Sequence, residues 1–136
     1  MTTAITISYS QTEEFRKDFK KLLKKYRSLE QDLELAKIAA IELFHLQKII
    51  NLSVFPIPGF CTEEIMVCKI KKFACRALKG RGSKSGIRVI YAFHVKSLKV
   101  NFIEIYFKAD QEKEDRDRIK RYLICQESVN RIRERP

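Results

Sequence analysis

The chain has no tryptophan, only two histidines, three prolines and four glycines. So little glycine and proline, beside 45% hydrophobic residues, excludes a low-complexity or disordered chain and provides for a buried core. No apolar run approaches the roughly 20 residues that a membrane-crossing helix needs. The opening MTTAITISYSQTEE has neither the basic nor the apolar region of a secretory leader. Both observations predict a cytoplasmic protein without a membrane partner. Cys61, Cys68, Cys75 and Cys125 lack C-x-x-C spacing, and His45 and His94 have no ligand-like spacing to them. The expectation is buried or half-buried free thiols, no metal and no cofactor. A further absence is local: from Ile65 to Ile103 there is no Asp or Glu.

That acid-free stretch carries ten basic residues, Lys69, Lys71, Lys72, Arg76, Lys79, Arg81, Lys84, Arg88, Lys96 and Lys99. Apolar residues interleave with them at roughly every second position, the period of a strand with one buried face. The whole chain carries a formal charge of +11, with a pI near 9.6. Such a balance points to a polyanionic partner: nucleic acid, an anionic membrane surface or an acidic protein. At 136 residues the chain reads as one domain, 1–136, with 129–136 (VNRIRERP) as a frayed tail.

Residues 4–9 alternate as a short strand would. Ser10, Gln11 and Thr12 give helix-start chemistry, with Glu13 and Glu14 in the first turn where the helix dipole favours acids. Phe15, Phe19, Leu22 and Tyr26 then share one helical face, and Lys17, Lys20, Lys21, Lys24, Lys25 and Arg27 the other. A second helix is predicted from Leu29 to Lys48, its stripe formed by Leu33, Ala36, Ala40, Leu43 and Phe44, with His45 as a core or C-terminal histidine. The short link between the helices predicts an antiparallel hairpin. Pro56, Pro58 and Gly59 predict a loop over 50–64.

Strands follow at 66–78, 87–95 and 100–108. In the middle strand Ile87, Val89, Tyr91, Phe93 and Val95 are assigned to the helix side, and Arg88, Ile90, Ala92 and His94 to the opposite, cationic side. In the last strand Ile103, Ile105 and Phe107 oppose Phe102, Glu104 and Tyr106, with a register open by one residue across the turn KSLK. A helix is expected after Asp110, where acids precede bases and Ile119, Tyr122 and Leu123 give a short apolar edge. The fold class is therefore α+β: a two-helix N-terminal hairpin on one face of a small twisted antiparallel sheet, closed by a short C-terminal helix.

The turn GRGSKSG fits neither a Walker A loop nor a dinucleotide fingerprint. Ser83 and Leu78 stand where a Walker loop needs glycine, and Gly80, Gly82 and Gly86 have the wrong spacing with no helix after them. It reads as a cationic hairpin turn that can approach a phosphate backbone. Taken together, GRGSKSG, SGIRVIY (Ser85–Tyr91) and IEIYFKAD (Ile103–Asp110) resemble the RelE/ParE superfamily, toxins of bacterial type II toxin–antitoxin modules. The resemblance runs from about Phe15 to Tyr122.

The resemblance implies a ribosome-dependent endoribonuclease that cuts mRNA, or, in the ParE branch, a gyrase poison without hydrolytic chemistry. It also implies an acidic antitoxin as partner. Arg88 matches the arginine that stabilises the reacting phosphate, and two of Arg76, Lys79 and Arg81 match the basic pair on the preceding strand. Lys108 falls near the basic residue ending the last strand, where the nuclease branch often has arginine. The branch's C-terminal catalytic tyrosine has no clear counterpart; Tyr122 lies too far into the helix. Proton transfer requires a base and an acid, for which Glu104 and Tyr106 are candidates if they share the face of Arg88, and His94 is another. Lys72, Lys84, His94 and Lys108 complete the expected nucleic-acid-binding surface. A plain basic RNA- or DNA-binding domain is the reading outside the family.

Overall fold

The structure, a computed structural model, describes residues 5–78 and 85–134. A strand β1 (Ser8–Gln11) leads through Thr12 into a first helix, Glu13–Lys25. The Thr12 hydroxyl accepts from the Phe15 amide at 3.1 Å, capping a helix whose first turn holds Glu13 and Glu14; such a cap is worth about 1 kcal/mol. Phe15 is fully buried, and Phe19, Leu22 and Leu23 line the same core. The lysines of the opposite face are exposed.

After a break at 26–28 a second helical stretch runs over 29–45. It is α-helical over Leu29–Ala36, widens to π geometry over Lys37–Glu42, and closes as α over Leu43–His45. At the widened turns the Tyr9 hydroxyl reaches the Glu42 carboxylate at 3.0 Å and Lys37 stands over the Tyr9 ring. Past the helix end at His45 the chain turns at Lys48, whose φ of 56° is left-handed, with the Ile49 amide bonded back to the Leu43 carbonyl.

Four more strands follow, β2 (Val54–Cys61), β3 (Ile65–Ile70), β4 (Ile87–His94) and β5 (Lys99–Phe107), and then a C-terminal helix, Arg116–Glu134. The sheet order is β1-β5-β4-β3-β2. β1 runs parallel to β5 while the other pairs are antiparallel, so the sheet is mixed and not antiparallel throughout.

The loop expected over 50–64 is a strand. Pro56 and Pro58 are tolerated because β2 lies at the sheet edge and is irregular between Pro56 and Cys61, where missing amide donors cost no ladder bond. The strand expected over 66–78 instead ends at Ile70. Beyond it the chain leaves the sheet, burying Phe73 and Cys75, and is captured by the start of the second helix: Asp32 accepts from the Arg76 amide at 3.3 Å and Ser28 from the Ala77 amide at 2.8 Å. The first strand lies at 8–11, later than the expected 4–9. The C-terminal helix, expected to be short, spans 19 residues, Arg116–Glu134.

Ile87, Val89, Tyr91 and Phe93 point to the first two helices, as their alternation predicts, whereas Val95 lies beyond β4 and is exposed. The opposite face is not an open cationic surface. Ile90, Ala92 and Ile103 are fully or almost fully buried there with Ile119 and Tyr122 of the C-terminal helix. A bulge sets the last register: Ile90 pairs with Glu104 but Tyr91 with Phe102, so Ile103 is the extra residue. Phe102 and Ile105 therefore share the helix-side core while Ile103 and Tyr106 share the other, which strict alternation cannot produce. Two of the four thiols, Cys68 and Cys75, are buried; Cys61 and Cys125 are exposed, against expectation. No helix among the described residues is long and apolar enough to cross a membrane.

Candidate nucleic-acid interface

The sequence SGIR is a launching device for one guanidinium. Ser85 is fully buried; its hydroxyl donates to the Phe73 carbonyl and accepts from the Ile87 amide, tying the start of β4 to the segment that leaves β3. Gly86 has a φ of +85°, and a Cβ there would lie 2.8 Å from Cε2 of Phe107. Only glycine can pass so close to that ring. The Gly86 carbonyl then accepts from the Lys108 amide at 2.8 Å, which fixes the end of β5 beside the start of β4. Two residues later Arg88 emerges half-buried, its Nη1 donating to the Lys71 carbonyl at 2.8 Å.

Arg88, Lys71, Lys72 and Lys108 line one open groove of about 460 Å³ together with Leu52, Phe55 and Gly86. Four strands converge to make it: β2 brings Phe55, the exit of β3 brings Lys71 and Lys72, β4 brings Arg88 and the end of β5 brings Lys108. Lys71 Nζ stands 4.6 Å from the centre of the Phe55 ring. Among the described residues no carboxylate pairs with any of the four cations. The groove thus concentrates positive charge without internal neutralisation, a geometry suited to an oxyanion such as a backbone phosphate.

Glu104 and Tyr106 do share the face of Arg88, since Tyr106 pairs directly with Arg88 and Glu104 with Ile90. Both lie beneath the surface. The Glu104 carboxylate accepts from the Asp115 amide and from Gln111 Nε2, each at 2.8 Å, and so holds the turn that enters the C-terminal helix. Burial pushes its pKa up, against those hydrogen bonds that favour the anion. Tyr106 is buried in the second core, and burial pushes its phenol up as well. Lys69 lies over its ring, 5.8 Å from the centre, and pairs with Glu114 at 3.0 Å.

His94 stands at the far end of β4, six residues from Arg88 and so about 20 Å away. Its Nε2 is 2.7 Å from the Tyr122 hydroxyl, which also accepts from Asn101 Nδ2 at 3.2 Å. Burial, and then Lys99, lowers the His94 pKa. His94 and Tyr122 both work in docking the C-terminal helix onto the sheet. His45 is a core histidine at the last helical position, 2.8 Å from the Tyr91 hydroxyl.

Of the expected set, the groove brings together Arg88, Lys72 and Lys108. Arg76 is exposed on the turn held by Ser28 and Asp32 and is not part of the groove lining. Lys79, Arg81 and Lys84, with most of the glycine turn, lie outside the described residues. Lys71 and Phe55 are the members that sequence reasoning missed. The signal for Lys71 was the alternation Lys69-Ile70-Lys71, which continues the face of Arg88 once β3 is paired with β4. The signal for Phe55 was hidden by the two prolines that disguise β2 as a loop.

No family model and no curated protein matches the sequence. Among solved structures the chain is similar to a chain of the archaeal RelE–RelB complex from Pyrococcus horikoshii OT3, at 16% identity and a TM-score of 0.48, covering 76% of this chain and 97% of that one. It is also similar to a metal-bound toxin from Helicobacter pylori, at 13% identity and a TM-score of 0.47, covering 78% of this chain and 99% of that one.

Proposed function

We propose that this protein is a toxin of the RelE/ParE kind that grips RNA by its phosphodiester backbone and acts at the ribosome. The observation that carries the reading is the meeting of Lys71, Lys72, Arg88 and Lys108 in one groove with no carboxylate partner among the described residues. The toxin class rests on the sequence resemblance at SGIRVIY and IEIYFKAD. An acidic antitoxin, partly disordered until bound, is the proposed partner for the same cationic surface and for the lysine face of the first helix.

The proposed reaction is attack of a ribose 2′-hydroxyl, which loses its proton, on the adjacent phosphate. The bond to the 5′-oxygen of the next nucleotide breaks, that oxygen gains a proton, and a 2′,3′-cyclic phosphate and a 5′-hydroxyl result, with negative charge concentrated on the phosphate oxygens on the way. Arg88 is suited to meet that charge because its guanidinium is already oriented by the Lys71 carbonyl. A fixed donor aimed at a developing oxyanion contributes about 3 kcal/mol. Arg76, Lys79, Arg81 and Lys84 are proposed as further contacts along the RNA, and Tyr106, directly across from Arg88, as the group that handles the proton. A second reading, arrest by binding without scission, is favoured by the commitment of Glu104 to the Asp115 turn and by the burial of Tyr106.

Primer extension on cellular RNA after brief induction of wild type and Arg88→Ala tests both. New 5′ ends in the wild type that vanish in the variant support cleavage. Growth arrest without new ends supports the second reading, and gyrase inhibition would move the protein to the ParE branch. Equal growth arrest by wild type and a folded Arg88→Ala rejects the groove as the site.

A further inference from the structure

We propose that the groove is built for single-stranded RNA, with Phe55 as the shelf on which one unpaired base stacks. This rests on the RNA-binding reading above and names the substrate class of that site. Phe55 shares a sheet face with Ile57 and, through its pairing with Lys69, with Ile90. Ile57 and Ile90 are buried in the second core, where the C-terminal helix covers them. Phe55 belongs to neither core and is only half-buried. The cover therefore stops short of Phe55 and of Lys71 and Arg88, which lie two positions further along β3 and β4 than the Lys69–Ile90 pair beside it. Leu52, 66% exposed, extends the same apolar lining.

A half-buried aromatic ring beside cations that no carboxylate pairs among the described residues matches the two needs of a single strand, a charged track for the backbone and a flat surface for a base. Lys71 joins them. Its ammonium lies 4.6 Å from the ring centre, so a phosphate drawn to Lys71 brings a neighbouring base to Phe55. A duplex can satisfy the cations equally well, but its bases are stacked on one another and offer the ring no free face. The chemistry thus predicts discrimination by the ring and affinity by the charges.

The test is fluorescence anisotropy with a short single-stranded oligoadenylate and with an RNA hairpin of equal charge, using wild type, Phe55→Leu, Phe55→Trp and Arg88→Ala, each checked for folding by thermal melting. Phe55→Leu should lose roughly tenfold in affinity for the single strand, within the range that base–aromatic stacking supplies. It should bind the hairpin within about twofold of wild type and keep the wild-type salt dependence, since no charge is removed. Phe55→Trp should retain single-strand binding. Wild-type affinity of Phe55→Leu for the single strand overturns the shelf, and so does an equal loss on both RNAs, which would mean that the ring merely props Lys71. Failure of the wild type to bind either RNA, or no loss on either with Arg88→Ala, instead overturns the RNA-binding reading itself.

Discussion

Gly86→Ala isolates the local geometry that aims Arg88. Two costs arise at this position: a left-handed φ of +85°, and a Cβ placed 2.8 Å from the Phe107 ring. The first costs about 1–2 kcal/mol for a residue with a side chain, reduced by about 0.4–1 kcal/mol from the lower entropy of the unfolded chain. The second is an overpacking cost of about 1–3 kcal/mol, because Phe107 is held against the helix-side core near Tyr26 and has limited room to move. The net loss is about 1–5 kcal/mol, a fall in Tm on the order of 10 °C for a chain of this size. Gly59 is the internal control. Its φ is +87°, but a Cβ there meets nothing within 4 Å, so Gly59→Ala should lose only the backbone part, about 1 kcal/mol or less. Urea denaturation of the two variants measures the difference. Equal losses would show that the close approach to Phe107 carries no cost and that Gly86 does not fix the strand start.

Two further predictions concern what holds the body of the protein. His45 is held down to about 4, first by burial and then by nearby Lys48. The unfolded chain takes up this proton near pH 6.5 and the folded one only near 4, so stability falls as the pH drops from 6.5 toward 4, by on the order of 2 kcal/mol between pH 7 and pH 5. Urea midpoints at the two pH values, with His45→Gln losing most of the difference, check this. Arg118 reaches Asp18 at 2.6 Å and Glu14 at 3.2 Å on the first helix and donates to the Ile103 carbonyl at 3.1 Å. Arg118→Ala should cost about 1–3 kcal/mol, less than a fully buried pair because the carboxylates stay partly hydrated; a change under 0.5 kcal/mol in calorimetry would remove its role as a clamp.

Much of this architecture was legible because simple periods govern it. Phe15, Phe19 and Leu22 fixed one helical face, and Val89, Tyr91 and Phe93 fixed the buried side of β4, since alternation leaves few other placements. What escaped was set by tertiary context. Pro56 and Pro58 argue against a strand until β2 is known to lie at an edge. Ser28 and Asp32, far away in sequence, decide that residues after Ile70 leave the sheet and carry Arg76 off with them. The bulge at Ile103 shifts one half of β5 against the other, and no local pattern announces it. For the site, Arg88 was found from SGIR, but the covering of Ile90 and Ala92 by the C-terminal helix confines the open charge to one end of the sheet. That confinement brings Lys71 and Phe55 into the groove and removes His94 from it.

The role proposed for the four groove cations is to bind a phosphodiester backbone. Its most direct test is the salt dependence of single-stranded RNA binding by the wild type and by a folded variant carrying Lys71→Ala, Lys72→Ala, Arg88→Ala and Lys108→Ala. Each phosphate contact contributes a slope of about −0.7 in log affinity against log salt, so removing four should flatten the slope by roughly 3. An unchanged slope and affinity in the fourfold variant would contradict the account.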